Sequence, residues 1–164
     1  MSFISTIATS VAALAALATA VIAIWQTRVT TSVQTLLTLE SRWTADAMIK
    51  WRSKAAHSLL AGNPGVEVDR ILDFFETLFG IFVRKKIVPA DWINHTFFWD
   101  AACYWIKCKD HVKMVQSAPS EADAWKDYGA AMAKWIGAEK HPPTDEDARK
   151  FMVDEVNQGR ETTS

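Results

Sequence analysis

The first 27 residues differ from the rest of the chain because they are largely apolar and contain no charged side chain. Residues 3–25 read FISTIATSVAALAALATAVIAIW and hold no charged side chain. A helix of that length measures about 34 Å, which is enough to cross the hydrocarbon core of a membrane. A cleaved signal peptide has a basic start and a shorter apolar run, whereas only Met1 and Ser2 precede this one, and it ends on Trp25, a typical interface residue. We therefore predict a retained transmembrane helix over residues 1–27, with a cleaved leader or a buried soluble helix as the alternatives.

The helical pattern continues beyond the span without a Gly or Pro until Gly62-Asn63-Pro64-Gly65. Apolar residues recur there at spacings of three, four or seven: Val29, Val33, Leu36, Leu37, Trp43, Ala47 and Trp51. This spacing predicts one helix, or two nearly collinear ones, from about Phe3 to about Leu60, with residues 28–61 as a juxtamembrane helix. A helix of this length is typical of proteins in which neighbouring copies pack together.

Residues 62–157 predict a small helical domain. An almost continuously apolar stretch from Ile71 to Phe82 favours a buried central helix. Further helices are predicted over residues 90–113, from a capping box at Ser120 and Asp123 to about residue 136, and from Thr144-x-x-Asp147 onward. Residues 158–164 are predicted to fray, and no strand pattern is present. The predicted fold class is all-α: an N-terminal transmembrane helix continuing into a long juxtamembrane helix, then a small cytoplasmic helical bundle.

Charge predicts the orientation of the chain in a membrane. Nothing basic precedes the span, whereas residues 26–60 carry five basic and two acidic side chains, a net charge of +3. The positive-inside rule then places the N-terminus outside and the C-terminal domain in the cytoplasm. Residues 119–164 carry six basic and ten acidic side chains, so the overall charge of −1 hides a basic segment near the membrane and an acidic end. That overall charge excludes a generally basic nucleic-acid-binding protein.

The span has two unlike faces when its residues are placed on a helical wheel. Large apolar side chains occupy one half, and small or hydroxylated side chains occupy the other half: Ser5, Thr9, Ala12, Ala13, Ala16, Thr19, Ala20 and Ala23. Small residues let membrane helices approach closely, so this face predicts self-association. Two readings stay open at this point, a helix-packing face of an oligomeric anchor and the lining of a narrow pore.

The sequence offers little support for catalysis or for metal binding. Cys103 and Cys108 are five residues apart and do not share a helix face, no CxxC or HxxxH motif occurs, and Cys103 is better placed as a small core residue. Glu76 lies within an apolar stretch, where we expect it to pair with an arginine such as Arg84 or one on another helix. We expect no enzyme activity, no catalytic residue, no cofactor and no metal.

Basic and aromatic residues interleave between Arg84 and Lys113. Single-stranded nucleic acids bind surfaces of this composition, because bases stack on aromatic rings and cations lie near phosphates. The alternative is a purely structural role, in which the aromatic residues belong to the core and the lysines to the solvated surface. The candidate ligand-binding residues are Arg84, Lys85, Lys86, Trp92, Lys107 and Lys109.

Several of these segments together resemble a family of short bacterial membrane-anchored proteins catalogued as a domain of unknown function. The resemblance covers most of residues 1–115 and rests on the span, Trp43 and Trp51, the stretch 71–80 (ILDFFETLFG), the basic turn at 84–86 and the Trp-rich helix that follows. One departure is that Phe79 intervenes before Gly80. The chain also resembles the membrane effectors of the anti-phage system called Hailong, which accompany nucleotidyltransferases. These resemblances imply location in a bacterial inner membrane and an oligomeric channel held in check by a short DNA oligomer.

These observations lead to a hypothesis about function. We expect a homo-oligomeric membrane effector, a tetramer being one candidate assembly, that forms a pore gated by a cytoplasmic ligand in anti-phage defence. The expected partners are other copies of the chain, membrane lipid, and a single-stranded oligonucleotide or a nucleotidyltransferase. A non-conducting anchor or scaffold that docks a cytoplasmic protein is the alternative.

Overall fold

A computed structural model describes the backbone of residues 2–161 and the side chains of residues 14–161. Over that range the fold is all-α, as predicted, and no strand is present. The helices are α1 (Ser2–Trp43), α2 (Asp46–Leu60), α3 (Val66–Thr77), α4 (Ala90–Gln116), α5 (Lys126–Ala138) and α6 (Asp145–Glu161). A π-helical segment, Leu78–Val83, extends α3, and a short 3-10 helix, Pro119–Glu121, precedes α5.

Two helices, and not one unbroken helix, cover the predicted range to residue 60. The chain leaves the helical path after Trp43, because Ala45 adopts an extended conformation (φ −66°, ψ 144°) before α2 begins. Neither Gly nor Pro marks this break. Packing fixes it instead: Trp43 is buried, and its backbone carbonyl accepts a hydrogen bond from the Arg52 side chain of α2 at 3.2 Å.

Two further helix ends differ from the predictions. Helix α5 begins at Lys126 rather than at a Ser120 cap, because Trp125 takes a left-handed conformation (φ 53°) directly before it. Helix α6 continues through residue 158 to Glu161, so only residues 162–164 of the predicted frayed tail lie outside the described residues. The start of α6 matches its prediction, since the Asp147 carboxylate accepts hydrogen bonds from the backbone N–H and the hydroxyl of Thr144.

The core of the helical domain is aromatic and lies around α3 and its π-helical extension. Phe75 stacks on Tyr128 at a ring distance of 5.1 Å, and Phe79 stacks on the same ring at 5.6 Å. The predicted central helix is therefore confirmed as buried, and so is Cys103 as a core residue. Helix α2 packs closely on α6, where a methyl group at Gly159 would lie 2.2 Å from the Ser53 side chain.

Candidate functional site

Helix α1 has a free half and a docked half. All described residues from Leu14 to Arg28 are exposed, including Leu14, Leu17, Val21 and Trp25, each of which is at least 63% exposed. From residue 29 onward one stripe contacts the domain at spacings of three and four: Val29, Ser32, Leu36, Leu39 and Trp43. Within the described part of the chain, α1 is the one helix long and apolar enough to span a membrane.

The small-residue face of the span is only partly within the described residues. Ser5, Thr9, Ala12 and Ala13 lie outside the range of described side chains, whereas Ala16, Thr19, Ala20 and Ala23 are exposed. The Thr19 hydroxyl donates a 2.9 Å hydrogen bond to the carbonyl of Ala15 in its own helix, so its donor is satisfied without a partner from another helix.

The docked stripe and the small-residue face lie on opposite sides of α1. Successive residues of an α-helix are rotated by about 100°, and on that basis the stripe from Val29 to Trp43 and the face from Ala16 to Ala23 are centred about 180° apart. Hydroxyl and amide side chains continue the small-residue face past the span, at Thr30, Gln34 and Ser41, and all three are exposed. The helix thus has one side on the domain and one small, polar side that faces away from it.

A buried polar cluster, which we call the junction, attaches the end of α1 to the domain. The Trp43 indole N–H donates to Asp100 Oδ2 at 2.6 Å, and the Arg52 guanidinium lies 4.4 Å from the centre of the Trp43 ring. Arg52 forms an ion pair with Glu155, in which its Nε donates to Oε2 at 2.7 Å. The Tyr104 hydroxyl lies 3.4 Å from the same carboxylate oxygen. Helices α1, α2, α4 and α6 therefore meet in one polar cluster inside an aromatic core.

Burial dominates the electrostatics of the junction. Burial raises the pKa of Asp100, and the positive charge of Arg52 and the Trp43 N–H oppose that effect. The pKa of Glu155 is also raised by burial, against the hydrogen bonds and charge of Arg52. For Arg52, burial acts to lower the pKa, but the hydrogen bonds and charge of Glu155 outweigh it, so its pKa is raised. A buried ion pair of this kind costs more stability when one partner is removed than it contributes as a pair.

The candidate ligand-binding residues do not form one site in a single copy of the chain. The side chain of Arg84 is exposed and forms an ion pair with Asp127 of α5 at 3.0 Å. Lys107 binds Asp145 at the start of α6 at 2.9 Å, Lys109 is exposed, and Trp92 packs partly against the core. Trp92 and Lys107 are about 22 Å apart along α4, since they are fifteen residues apart in a continuous helix.

Lys85 and Lys86 face α1 instead. They line a cavity of about 480 Å³, which we call the basic groove, together with Thr27, Arg28, Thr31, Ser32 and Ile87. Its seven lining residues carry three positive charges and no negative one. Sequence reasoning singled out Lys85 and Lys86 but missed Arg28 as their neighbour, because the two segments are more than fifty residues apart in the chain.

Glu76 performs a structural role that differs from the predicted ion pair. Its carboxylate accepts hydrogen bonds from the backbone N–H groups of Asp127 (3.2 Å) and Tyr128 (2.8 Å), at the start of α5. It therefore caps a helix and does not pair with Arg84, whose partner is Asp127. Among the described residues, no group of three His, Cys, Asp or Glu side chains is placed to hold a metal ion. Burial raises the pKa of the Cys103 thiol to about 12.

Comparison with known proteins gives no match to a protein-family model, a curated protein or a solved structure.

Proposed function

We propose that this protein is a homo-oligomeric membrane effector whose first helix spans the membrane and lines a pore that the helical domain gates. The observation that carries the proposal is the arrangement of α1. The described side chains of its apolar half, residues 14–28, are all exposed, and the described residues of its small face point away from the domain. In a ring of copies, that geometry favours small faces at the centre and domains at the periphery.

The lining that this arrangement gives is compatible with ion passage. Ala16, Thr19, Ala20 and Ala23 would face the axis within the membrane, and Thr30 and Gln34 would continue the lining below it. Small and hydroxylated side chains leave room for water and place no buried charge in the membrane. Large apolar residues such as Leu17 and Val21 would then face lipid.

The junction supplies a physical link between the domain and the pore. Trp43 at the end of α1 contacts α2 through Arg52, α3 through Phe74 and α4 through Asp100. A ligand that binds two arrangements of the domain with different affinity would therefore shift α1 as well. We propose an anionic ligand, a nucleotide or a short DNA oligomer, as the resemblance to the anti-phage effectors implies. Arg84 and Lys109, which are exposed, would contact its phosphates.

Conductance of reconstituted protein tests the pore. Ala16→Leu and Thr19→Leu should abolish or strongly reduce ion flux through vesicles that contain the full-length protein, because each adds bulk to the lining. Val21→Leu is the matched control, since it adds bulk to the lipid side, and it should leave the flux unchanged. If wild-type protein inserts and assembles but carries no flux, the pore is excluded and the non-conducting anchor replaces it.

Binding of a short single-stranded DNA to the full-length protein in detergent tests the ligand. Arg84→Gln with Lys109→Gln should weaken binding, and the loss should be greater at low salt. Lys134→Gln with Lys140→Gln removes the same charge from other exposed positions and serves as the control. Absence of any binding by the wild type would refute the ligand and leave the pore proposal standing.

A further inference from the structure

The basic groove lies at the depth where the polar headgroups of a membrane would be. Thr27, Arg28 and Thr31 follow Trp25, the exposed aromatic residue at the end of the apolar run. At about 1.5 Å per residue they lie about 3 to 9 Å beyond it along α1. The headgroup region of one leaflet is about 5 to 8 Å thick, so the groove opens within it when the span is inserted.

The charges of the groove are not neutralised by the protein. Among the described residues, Arg28, Lys85 and Lys86 each lack a carboxylate within ion-pair distance, whereas Arg84, next in the chain, has Asp127. Thr27 and Thr31 line the same cavity. The Thr27 hydroxyl donates its hydrogen to the carbonyl of Ala23 at 2.9 Å, so the hydroxyl donor for the groove is that of Thr31. Three cations beside a hydroxyl donor match the chemistry of a phosphate group, which accepts hydrogen bonds and carries negative charge.

The loop that carries the two lysines is fixed against α1. The Ser32 hydroxyl, buried on α1, donates a 2.7 Å hydrogen bond to the carbonyl of Ile87. The loop also closes on the π-helical segment, where the backbone N–H groups of Ile87 and Val88 donate to the carbonyl of Phe82. The cations are thus held beside the helix on a defined backbone.

The backbone of Lys86 adds an independent observation. Its φ of 55° is in the left-handed region, which glycine adopts freely and which is strained for a lysine. Strain of this kind persists where the surrounding structure imposes it, and residues with a strained backbone are concentrated at functional sites. Lys86 therefore supplies a positive charge to the groove at a position whose backbone conformation suits glycine better.

From these observations we propose that the basic groove binds the phosphate of an anionic membrane phospholipid, held by Arg28, Lys85 and Lys86 with a hydrogen bond from Thr31. The proposal rests on the insertion of α1 into a membrane, which is part of the proposed function. The location next to Trp25 favours a lipid over a soluble anion, because a lipid phosphate is already at that depth. A bound lipid would brace the loop against α1 next to the membrane.

The test compares spin-labelled phosphatidylglycerol with spin-labelled phosphatidylcholine around full-length protein in vesicles, by the fraction of label that the protein immobilises. Wild type should prefer phosphatidylglycerol, and Arg28→Gln, Lys85→Gln and Lys86→Gly should each reduce that preference about fivefold at low salt. Lys86→Gly is the most informative variant, because glycine suits the left-handed backbone and so removes the charge without a structural penalty. The control variant Lys134→Gln, Lys140→Gln removes two exposed charges elsewhere and should retain the preference.

The outcomes separate this proposal from the one it rests on. Protein that is washed from the vesicles by alkaline carbonate would refute membrane insertion, and with it the proposed function. Inserted protein that immobilises both lipids equally would overturn the lipid site alone. Displacement of phosphatidylglycerol by millimolar inorganic phosphate, or by a short single-stranded DNA, would also overturn it and assign the groove to a soluble anion.

Discussion

Both halves of α1 are helical, but the described side chains of the first half are exposed, whereas the second half lies against the domain. In residues 14–28 every described side chain is exposed, whereas in residues 29–43 a stripe at spacings of three and four is half-buried or buried against the domain. Apolar composition alone does not account for the difference, since Val33 and Leu37 in the docked half are also exposed. What distinguishes the docked half is polar anchoring: Ser32 binds Ile87, and Trp43 binds Asp100. The domain therefore holds α1 along one stripe of its second half, whereas the described residues of its first half are exposed.

The largest effect is expected where the docked half meets the buried ion pair. Arg52→Met leaves Glu155 buried without its partner and should lower the free energy of unfolding by about 3 to 5 kcal/mol. Chemical denaturation in detergent, followed by circular dichroism, measures it. The double variant Arg52→Met, Glu155→Leu removes both charges and should recover most of the loss. A single variant as stable as the wild type would show that the junction does not hold the helices together.

Replacement by phenylalanine should affect the free energy of unfolding differently at Trp43, in the docked half of α1, and at Trp25, in the free half. Trp43→Phe removes the N–H that binds the buried Asp100 carboxylate and should cost about 1 to 3 kcal/mol of unfolding free energy. Trp25→Phe, in the free half, should leave that free energy unchanged, because Trp25 is 65% exposed and contacts no part of the domain. Equal losses from the two variants would contradict the division of α1.

Asp100 gives the docked half a pH dependence that the free half lacks. Because burial raises its pKa in the folded state above the ordinary value of 3.8, its protonated form is favoured in the fold. The stabilising contribution of Asp100 to the free energy of unfolding is therefore fully present below pH 3.8. It is lost as the pH rises through the raised pKa of the folded state. Unfolding free energies of wild type and Asp100→Asn, measured from pH 3.5 upward, should diverge in favour of the variant. A difference that is constant with pH would contradict a raised pKa for this carboxyl.

The smallest effect is expected from the single hydroxyl that binds the loop. Ser32→Ala removes one partly buried hydrogen bond and should lower the unfolding free energy by about 1 kcal/mol. Thr30→Ala, two residues earlier on the exposed side, is the matched control and should change it little. If the two substitutions had the same effect, Ser32 would not anchor the loop to α1.

Local patterns predicted some of these features well. The capping box at Thr144 and Asp147 lies within four residues, and it forms as expected. The central helix was predictable because its apolar residues leave almost no polar face. The all-α class followed from the same periodicity, since helical spacing recurs in every segment of the chain.

Features that depend on distant residues were not predictable. The break at Thr44 and Ala45 lacks a Gly or Pro, and it depends on Asp100 and Arg52, which meet Trp43 only in the fold. The start of α5 was misplaced because its cap, Glu76, lies fifty residues away. In the same way, the periodicity of α1 showed a helix but not which stripe docks, since Val33 and Leu37 recur as regularly as Leu36 and Trp43.

Disulfide cross-linking between copies in the membrane tests the central claim most directly, which is that the free half of α1 assembles through the face opposite the domain. Single cysteines would replace Ala16 and Ala23 on the small face, and Leu14 and Val21 on the large apolar face, with Cys103 and Cys108 changed to alanine. The account predicts cross-linked dimers from Ala16→Cys and Ala23→Cys and none from Leu14→Cys or Val21→Cys. Cross-linking that is equal on both faces, or confined to the large apolar face, would contradict it.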